Sequence, residues 1–298
     1  MWHDPLARRR PGYREIVEPD NRIGQFLRAR RELVQPEDVG IESYGRRRVP
    51  GLRREELAML AGVSVDYYVR LEQGRERHPS EQVLDALARA LQLDDTAAGH
   101  LQQLARPPAR RRRPSARPQR VRPGVERLME GWSHTPAIVL GRCLDVLAAN
   151  SLADALHGHP VRGTNVMRSI FLEPGAQDFY ADWDDVARDT VATLRALAGA
   201  DLDDPRLTEL VGELSLKSED FRRLWARHDV REKTSGTKRF VHPVVGELSL
   251  GYESFAIGGA PGQILVVYHA EPGSRDERAL KLLESVAAGD SAQSLPTA

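Results

Sequence analysis

The stretch "RPPARRRRPSARPQRVRP", residues 106–123, limits how this chain can fold more than any other segment. It carries eight arginines, five prolines, no acid and almost nothing apolar. Proline favours extended backbone, like charges repel, and no core can be built through such a run. The chain must therefore fold on either side of it, and the tract reads as an interdomain linker. Arg110–Arg113 within it can also follow phosphates beside a nucleic-acid module. The net charge of zero hides an asymmetry across this boundary. Residues 1–122 hold 25 Lys+Arg against 17 Asp+Glu, a balance of +8, which leaves −8 for the rest. A basic amino part joined to an acidic carboxyl part points to two modules, one of them facing a polyanion.

Other totals remove whole classes. Cys143 is the only cysteine, so the chain can form no internal disulfide and no thiolate cluster for zinc. No apolar run reaches the eighteen or so residues of a membrane span, and the first twenty residues lack an apolar signal core. A cytoplasmic protein that does not enter a membrane is expected. G-x-S-x-G, P-loop and H-E-x-x-H patterns are absent, and the glycines of "GYESFAIGGAPG" do not follow the dinucleotide-binding spacing. "HGHP" at 157–160 reads as a loop rather than a metal site, and the apolar neighbours of Cys143 favour an inert thiol. No catalytic residue, metal or cofactor is assigned, and the chain is not expected to be an enzyme.

The amino module reads as five helices. Asp20 is the expected cap of a first helix with Ile23, Phe26 and Leu27 on one face. A second helix spans about Arg53 to Ala61 with Leu57, Leu60 and Ala61 at core spacing, and Ser64 caps a third that Gly74 ends. Ser80 and Asp94 or Asp95 open the last two. Between the second and third helices, Gly62 permits a tight turn. Val63, Tyr68 and Leu71 then close the core and leave Val65, Asp66, Tyr67, Val69 and Arg70 outside. Such a short, outward-facing helix suits the major groove of DNA.

These residues resemble the Cro/C1 (Xre) helix-turn-helix family over roughly residues 21–105, through "LRREELA", "GVS" and "RLEQG". The resemblance implies an all-α, five-helix lambda-repressor-like domain. It places Arg54 where the family carries a phosphate-gripping glutamine, and Val65, Asp66 and Arg70 where side chains face bases. Arg70 suits guanine O6 and N7, Asp66 cytosine N4, Val65 a thymine methyl, and Tyr67 a phosphate. Ser64 completes the turn, while Arg47 and Arg53, with Arg46 and Arg48, add attraction to the backbone. Palindromic double-stranded operators and a homodimer are the expected partners.

The carboxyl module mixes strands at both ends with helices between. "AIVLGR", "LDVLAAN", "KRFVHPVVGELSLGYESFAI" and "GQILVVYHAE" read as strands, and residues 151–227 as mainly helical. "LAANSLADAL", "FRRLWARHDVR" and "KRFVHPVVGELSL" are similar to the MmyB-like (MltR-type) transcription regulators, and the likeness covers most of residues 21–285. It implies an α+β PAS-like domain able to hold a small apolar ligand, a fatty acid, as effector. Leu147, Phe171, Trp183, Phe221 and Val266 are among the candidate tunnel walls, each equally suited to plain core. Asn150, Arg168, Trp225, His228, Lys238 and His242 are the candidate ligand contacts. The expected domains are an arm at 1–19, the helix-turn-helix domain at 20–105, the linker at 106–123, the ligand-binding domain at 124–288 and a disordered tail at 289–298. An enzyme or metabolite-binding module that carries a DNA-binding domain is the alternative reading.

Arg70→Ala is expected to relax sequence choice, losing about 1–3 kcal/mol on the operator and little on scrambled duplex. Arg47→Ala is expected to weaken both duplexes alike and to flatten the log–log salt slope by about 0.9. Binding curves on the two duplexes at several salt concentrations check this, and equal losses for both variants on both duplexes would refute it.

Overall fold

The computed structural model describes residues 21–42, 49–76, 78–106, 119–199, 204–232 and 234–293. The amino unit is helical: α1 (Arg22–Leu33), α2 (Arg54–Leu60), α3 (Val65–Glu72), α4 (Glu81–Ala90) and α5 (Asp95–Ala105), with one 3₁₀ turn at Pro36–Val39. Side-chain oxygens of Ser64, Ser80 and Asp94 accept from the third backbone N–H beyond them, as the sequence leads one to expect. Each such cap contributes about 1 kcal/mol. Asp20 lies outside the described residues, and Asn21 caps α1 instead. Phe26, Leu27, Leu57, Tyr68, Leu71, Leu87 and Leu101 fill the core. Leu60 does not join them: it is exposed, and Ala58 takes the buried position on α2.

Two glycines fix the ends of α3. Gly62 has φ +66°, which lets the Val63 N–H reach back to Ala58 O at 3.0 Å and turns the chain sharply between α2 and α3. Gly74 has φ +73° and packs so tightly that an added Cβ would sit 2.6 Å from the Asn21 side chain. The Asn21 amide donates to Glu72 O at 3.0 Å, so one side chain caps the start of α1 and ties it to the end of α3.

A buried carboxylate locks the three helices together. Glu72, at the end of α3, accepts from Arg31 Nε of α1 at 3.0 Å and from Arg54 Nη2 of α2 at 2.7 Å. Arg31 also donates to Leu52 O at 2.7 Å, which holds the segment leading into α2. Burial works to raise the Glu72 carboxyl, but hydrogen bonds from Arg54 and Arg31 outweigh it and hold it below the usual carboxylate range.

The carboxyl unit starts inside the tract read as linker. Val121 is buried beside Met129 and Ala137, Gln119 Oε1 accepts from Arg142 N at 3.0 Å, and Gln263 donates to Arg120 O at 3.1 Å. Then follow α6 (Pro123–Glu130), β1 (Ala137–Leu140), β2 (Val146–Ala149), α7 (Ser151–His157), α8 (Val166–Leu172), α9 (Ala176–Phe179), α10 (Trp183–Ala198), α11 (Pro205–Lys217) and α12 (Glu219–Ala226). The chain ends with β3 (Ser235–His242), β4 (Gly246–Ala256), β5 (Ile264–His269) and α13 (Arg275–Gln293). All pairings are antiparallel in the order β2-β1-β5-β4-β3, so this is the α+β fold the resemblance implied. Alternation sends Ile138, Phe240, Leu250, Val266 and Tyr268 to the inner face under the helices. Val139, Ala148 and Val267 go to the outer face, where α6 covers them with Met129.

The two units touch. Val230 is buried within the core of the helical unit, the Phe26 and His228 rings lie 6.5 Å apart, and Arg30 of α1 pairs with Asp229. Beside them, Arg195 of α10 is buried over the Trp225 ring at 3.9 Å and donates to Trp225 O at 2.6 Å.

Glu72→Gln leaves two arginines facing a neutral group in a buried site, and about 3–5 kcal/mol should be lost. Glu32→Gln, which removes an exposed carboxylate paired with Arg28 at 3.1 Å and standing 3.8 Å from Arg31, should change stability by less than about 1 kcal/mol. Denaturant unfolding of the full chain followed by helical signal compares them; equal effects would show that the clamp carries no special weight.

Candidate DNA-reading helix and ligand cavity

The outward face of α3 is assembled by its cap and its buried anchors. Tyr68 and Leu71 are fully buried, which fixes the rotation of the helix and turns Val65, Asp66 and Arg70 to solvent. Eight residues at 1.5 Å rise make a rod about 12 Å long, close to the width of the major groove. Arg70 Nη1 lies 2.9 Å from Asp66 Oδ2, so these two polar side chains of the face are joined along one helix side. Tyr67 is half-buried, with its phenol pushed up by burial first and then by Glu76. The Ser64 hydroxyl is occupied as cap, accepting from Tyr67 N at 3.1 Å. Arg53 is exposed at the start of α2, where its backbone N–H donates to Glu56. Arg54 Nε and Nη2 both hold Glu72, which places this guanidinium in the clamp between α2 and α3. Arg47 lies outside the described residues.

The carboxyl unit holds a cavity of about 230 Å³, open to solvent on one side, between the inner face of the sheet and α10. Ile138, Leu140, Leu144, Val166, Val186, Ile264 and Val266 give it apolar walls. Lys238 of β3 enters it with the rings of Tyr252 and Tyr268 at 5.4 and 5.8 Å from its ammonium, and Tyr180 and His157 complete the polar lining. Among the described residues no carboxylate lies within ion-pair distance of Lys238. Burial pushes the Tyr180 phenol up to about 12 and raises that of Tyr268 as well, so both stay protonated and able to donate. His157 is held neutral: burial lowers it to about 4, and its Nδ1 donates to Ala153 O at 2.8 Å, which leaves Nε2 as an acceptor. Thr190 and Thr193 also line the space, but their hydroxyls are spent on Val186 O and Asp189 O. Charged groups gather nearer solvent: Asp182 with Arg239, and Asp189 with Arg231 at 3.6 Å.

Of the six residues read as ligand contacts, Lys238 lines this cavity and the other five do not. Asn150 is a buried corner brace: Oδ1 accepts from Ala137 N and Ala153 N at 3.0 Å, and Nδ2 donates to Thr135 O at 2.8 Å. Arg168 pairs with Glu213 at 2.8 Å. His242 accepts from Val244 N at Nδ1, so its Nε2 is the protonated nitrogen that donates to Ala155 O. Trp225 stacks on Phe221 and under Arg195, while His228 sits at the contact between the units. Val266 is the one proposed tunnel residue among the cavity walls. Tyr180, Tyr252, Tyr268 and His157 went unread, although inward alternation along β4 and β5 would have placed the latter strand's Tyr268 beside Val266. Cys143 is buried and its thiol is pushed up to about 11 by burial and nearby aspartates, in keeping with an inert group.

Residues 121–283, more than half of the chain, match the family of the MmyB-like transcription regulator ligand binding domain. The chain belongs to the MmyB-like transcription regulators. Residues 22–101 match a helix-turn-helix domain, which accounts for α1 to α5. No curated protein matches this MmyB-like chain. The regulator thus joins a DNA-binding helical domain to a domain for a small-molecule ligand, and none of its helices among the described residues is long and apolar enough to cross a membrane.

Three histidines of this MmyB-like protein are held in the neutral form, His100 buried and His157 and His228 half-buried: His100 at about 4, His157 at about 4 and His228 at about 3, each lowered first by burial. Their unfolded values lie near 6.5. Between these limits the unfolded chain binds protons that the folded one excludes, so stability is present above about pH 6.5 and falls as the pH drops towards 4. Thermal midpoints measured across this range should decline, and His100→Gln should flatten the decline. A midpoint constant from pH 7 to 4 would refute the neutral assignment.

Proposed function

We propose that this regulator changes its grip on DNA in response to an acyl carboxylate, a fatty acid of modest length, held in the cavity beside Lys238. The observation that carries this reading is the pairing of the cavity's apolar walls with the Lys238 ammonium, which has no carboxylate within ion-pair distance among the described residues. A cation in such a place is poorly solvated, and an anionic head group would relieve it while accepting from the neighbouring phenols. The chain would lie against Ile138, Leu140, Val186 and Val266. About eight methylenes would gain up to about 6 kcal/mol on burial. The volume lies below the roughly 300–1,000 Å³ of sites for drug-sized ligands, which favours a short chain over a long one.

On the DNA side, Val65, Asp66 and Arg70 are proposed to read base edges, with Arg53, Arg47 and Tyr67 on phosphates. A helix of this length covers only a few base pairs, which favours two copies on a palindromic operator. Arg54 serves orientation: while it holds Glu72 it keeps α3 at the angle that presents Arg70.

Titrating decanoate into the full chain by calorimetry, with operator affinity measured in parallel, tests the proposal. Lys238→Met should weaken decanoate by about 1.5–3 kcal/mol, as for a lost charge-assisted hydrogen bond. By linkage, saturating decanoate should alter operator affinity by the factor that operator alters decanoate affinity. Decanoate binding that ignores Lys238→Met sinks the anchor, and turnover of an extracted ligand would favour an enzyme instead.

A further inference from the structure

Four consecutive residues reach from the ligand cavity into the core of the DNA-binding unit. Arg231 lines the cavity, where its guanidinium stands 3.6 Å from Asp189 of α10. One residue earlier, Val230 is buried among the apolar side chains of the helical unit. Asp229 pairs with Arg30 of α1, and the His228 ring meets Phe26 of the same helix. His228 holds φ +52°, a left-handed conformation that costs a non-glycine residue about 1 kcal/mol or more unless its surroundings impose it. Helix α10 runs alongside: Asp189 and Thr193 line the cavity, and Arg195 and Ala196 just beyond them face the contact between the units. Helix α1 in turn holds α3 through Arg31 and Glu72. The contact is polar and incompletely satisfied, since Arg30 Nε and Arg195 Nε are buried without a hydrogen-bond partner. Such a contact is poised to give way at low cost.

We propose that His228–Arg231 is a strap coupling the cavity to the DNA-binding unit: an anion entering the cavity takes Arg231 from Asp189 and draws Asp229 and Val230 away from α1. The proposal rests on the reading of the cavity as the ligand site. It adds the route by which occupancy reaches α3, through one short segment rather than through a long chain of contacts. The sign follows from charge: a carboxylate beside Arg231 also repels Asp189, so ligand and docking oppose each other. By reciprocity, undocking the strap must favour the ligand.

Amide hydrogen exchange on the full chain decides it in two comparisons. Without ligand, Asp229→Asn and, from the other side of the pair, Arg30→Gln should each speed exchange about fivefold or more at 228–231 and along Asp185–Thr193. Arg28→Gln, on α1 and paired with Glu32 alone among the described residues, should leave both segments unchanged. Faster exchange confined to α1 overturns the strap whatever the ligand proves to be. With decanoate at saturation, exchange over Arg22–Leu33 should rise by a similar factor in the unaltered protein and not in Arg231→Gln. Decanoate that binds and leaves α1 unchanged also overturns the strap. Decanoate that fails to bind overturns the acyl reading alone, and the ligand-free comparison still decides the coupling.

Discussion

A carboxylate taken out of water, that of Glu72, holds the amino unit in the arrangement everything else uses. It sits at the end of α3 with only 2% of its side chain exposed, and it is kept ionised by guanidinium groups from α1 and α2. Isolated, such a charge would be strongly unfavourable; clamped by Arg31 and Arg54 it becomes a specification of geometry. Buried Tyr68 and Leu71 fix the rotation of α3, and the clamp ties the helix in that rotation to α1 and α2. Val65, Asp66 and Arg70 are presented because Glu72 and Tyr68 are not.

The carboxyl unit solves a different problem with the same means. Its sheet buries two faces, one under α6 and one under the helices α7–α12, and the inner face leaves a space beside α10. Several polar side chains of this unit are committed to the fold: Asn150 to the corner before α7, His242 to Ala155 O, the threonines of α10 to their own helix. Lys238 differs from these, a cation resting on tyrosine rings with no partner acid among the described residues.

Much of the fold was legible in the residues. The α3 stub between Ser64 and Gly74, the glycine turn before it and the stripe of α4 follow from caps, φ preferences and 3.6-residue spacing, all local properties. The β3–β4 hairpin with its turn before Gly246 follows from alternation in the same way. The ligand contacts were far less legible. Asn150, Arg168, Trp225, His228 and His242 are polar or aromatic groups in promising segments, and in the fold each is engaged by backbone or side-chain partners that lie distant in sequence or in turns. Arg54 shows the same limit in the amino unit. Its family position implied a phosphate, whereas the partner that holds it here is eighteen residues away on another helix.

The order of amino acids alone determined two modules divided by an arginine–proline tract, a helical reader and a mixed α+β partner, because helix caps, turns and periodicity act within a few residues. Only the tertiary structure decided which polar groups are spent. It also decided where a space remains beside Lys238, and that residues 228–231 join that space to α1. Those outcomes depend on side chains brought together across long stretches of chain, where burial turns each polar atom into a demand for a particular partner.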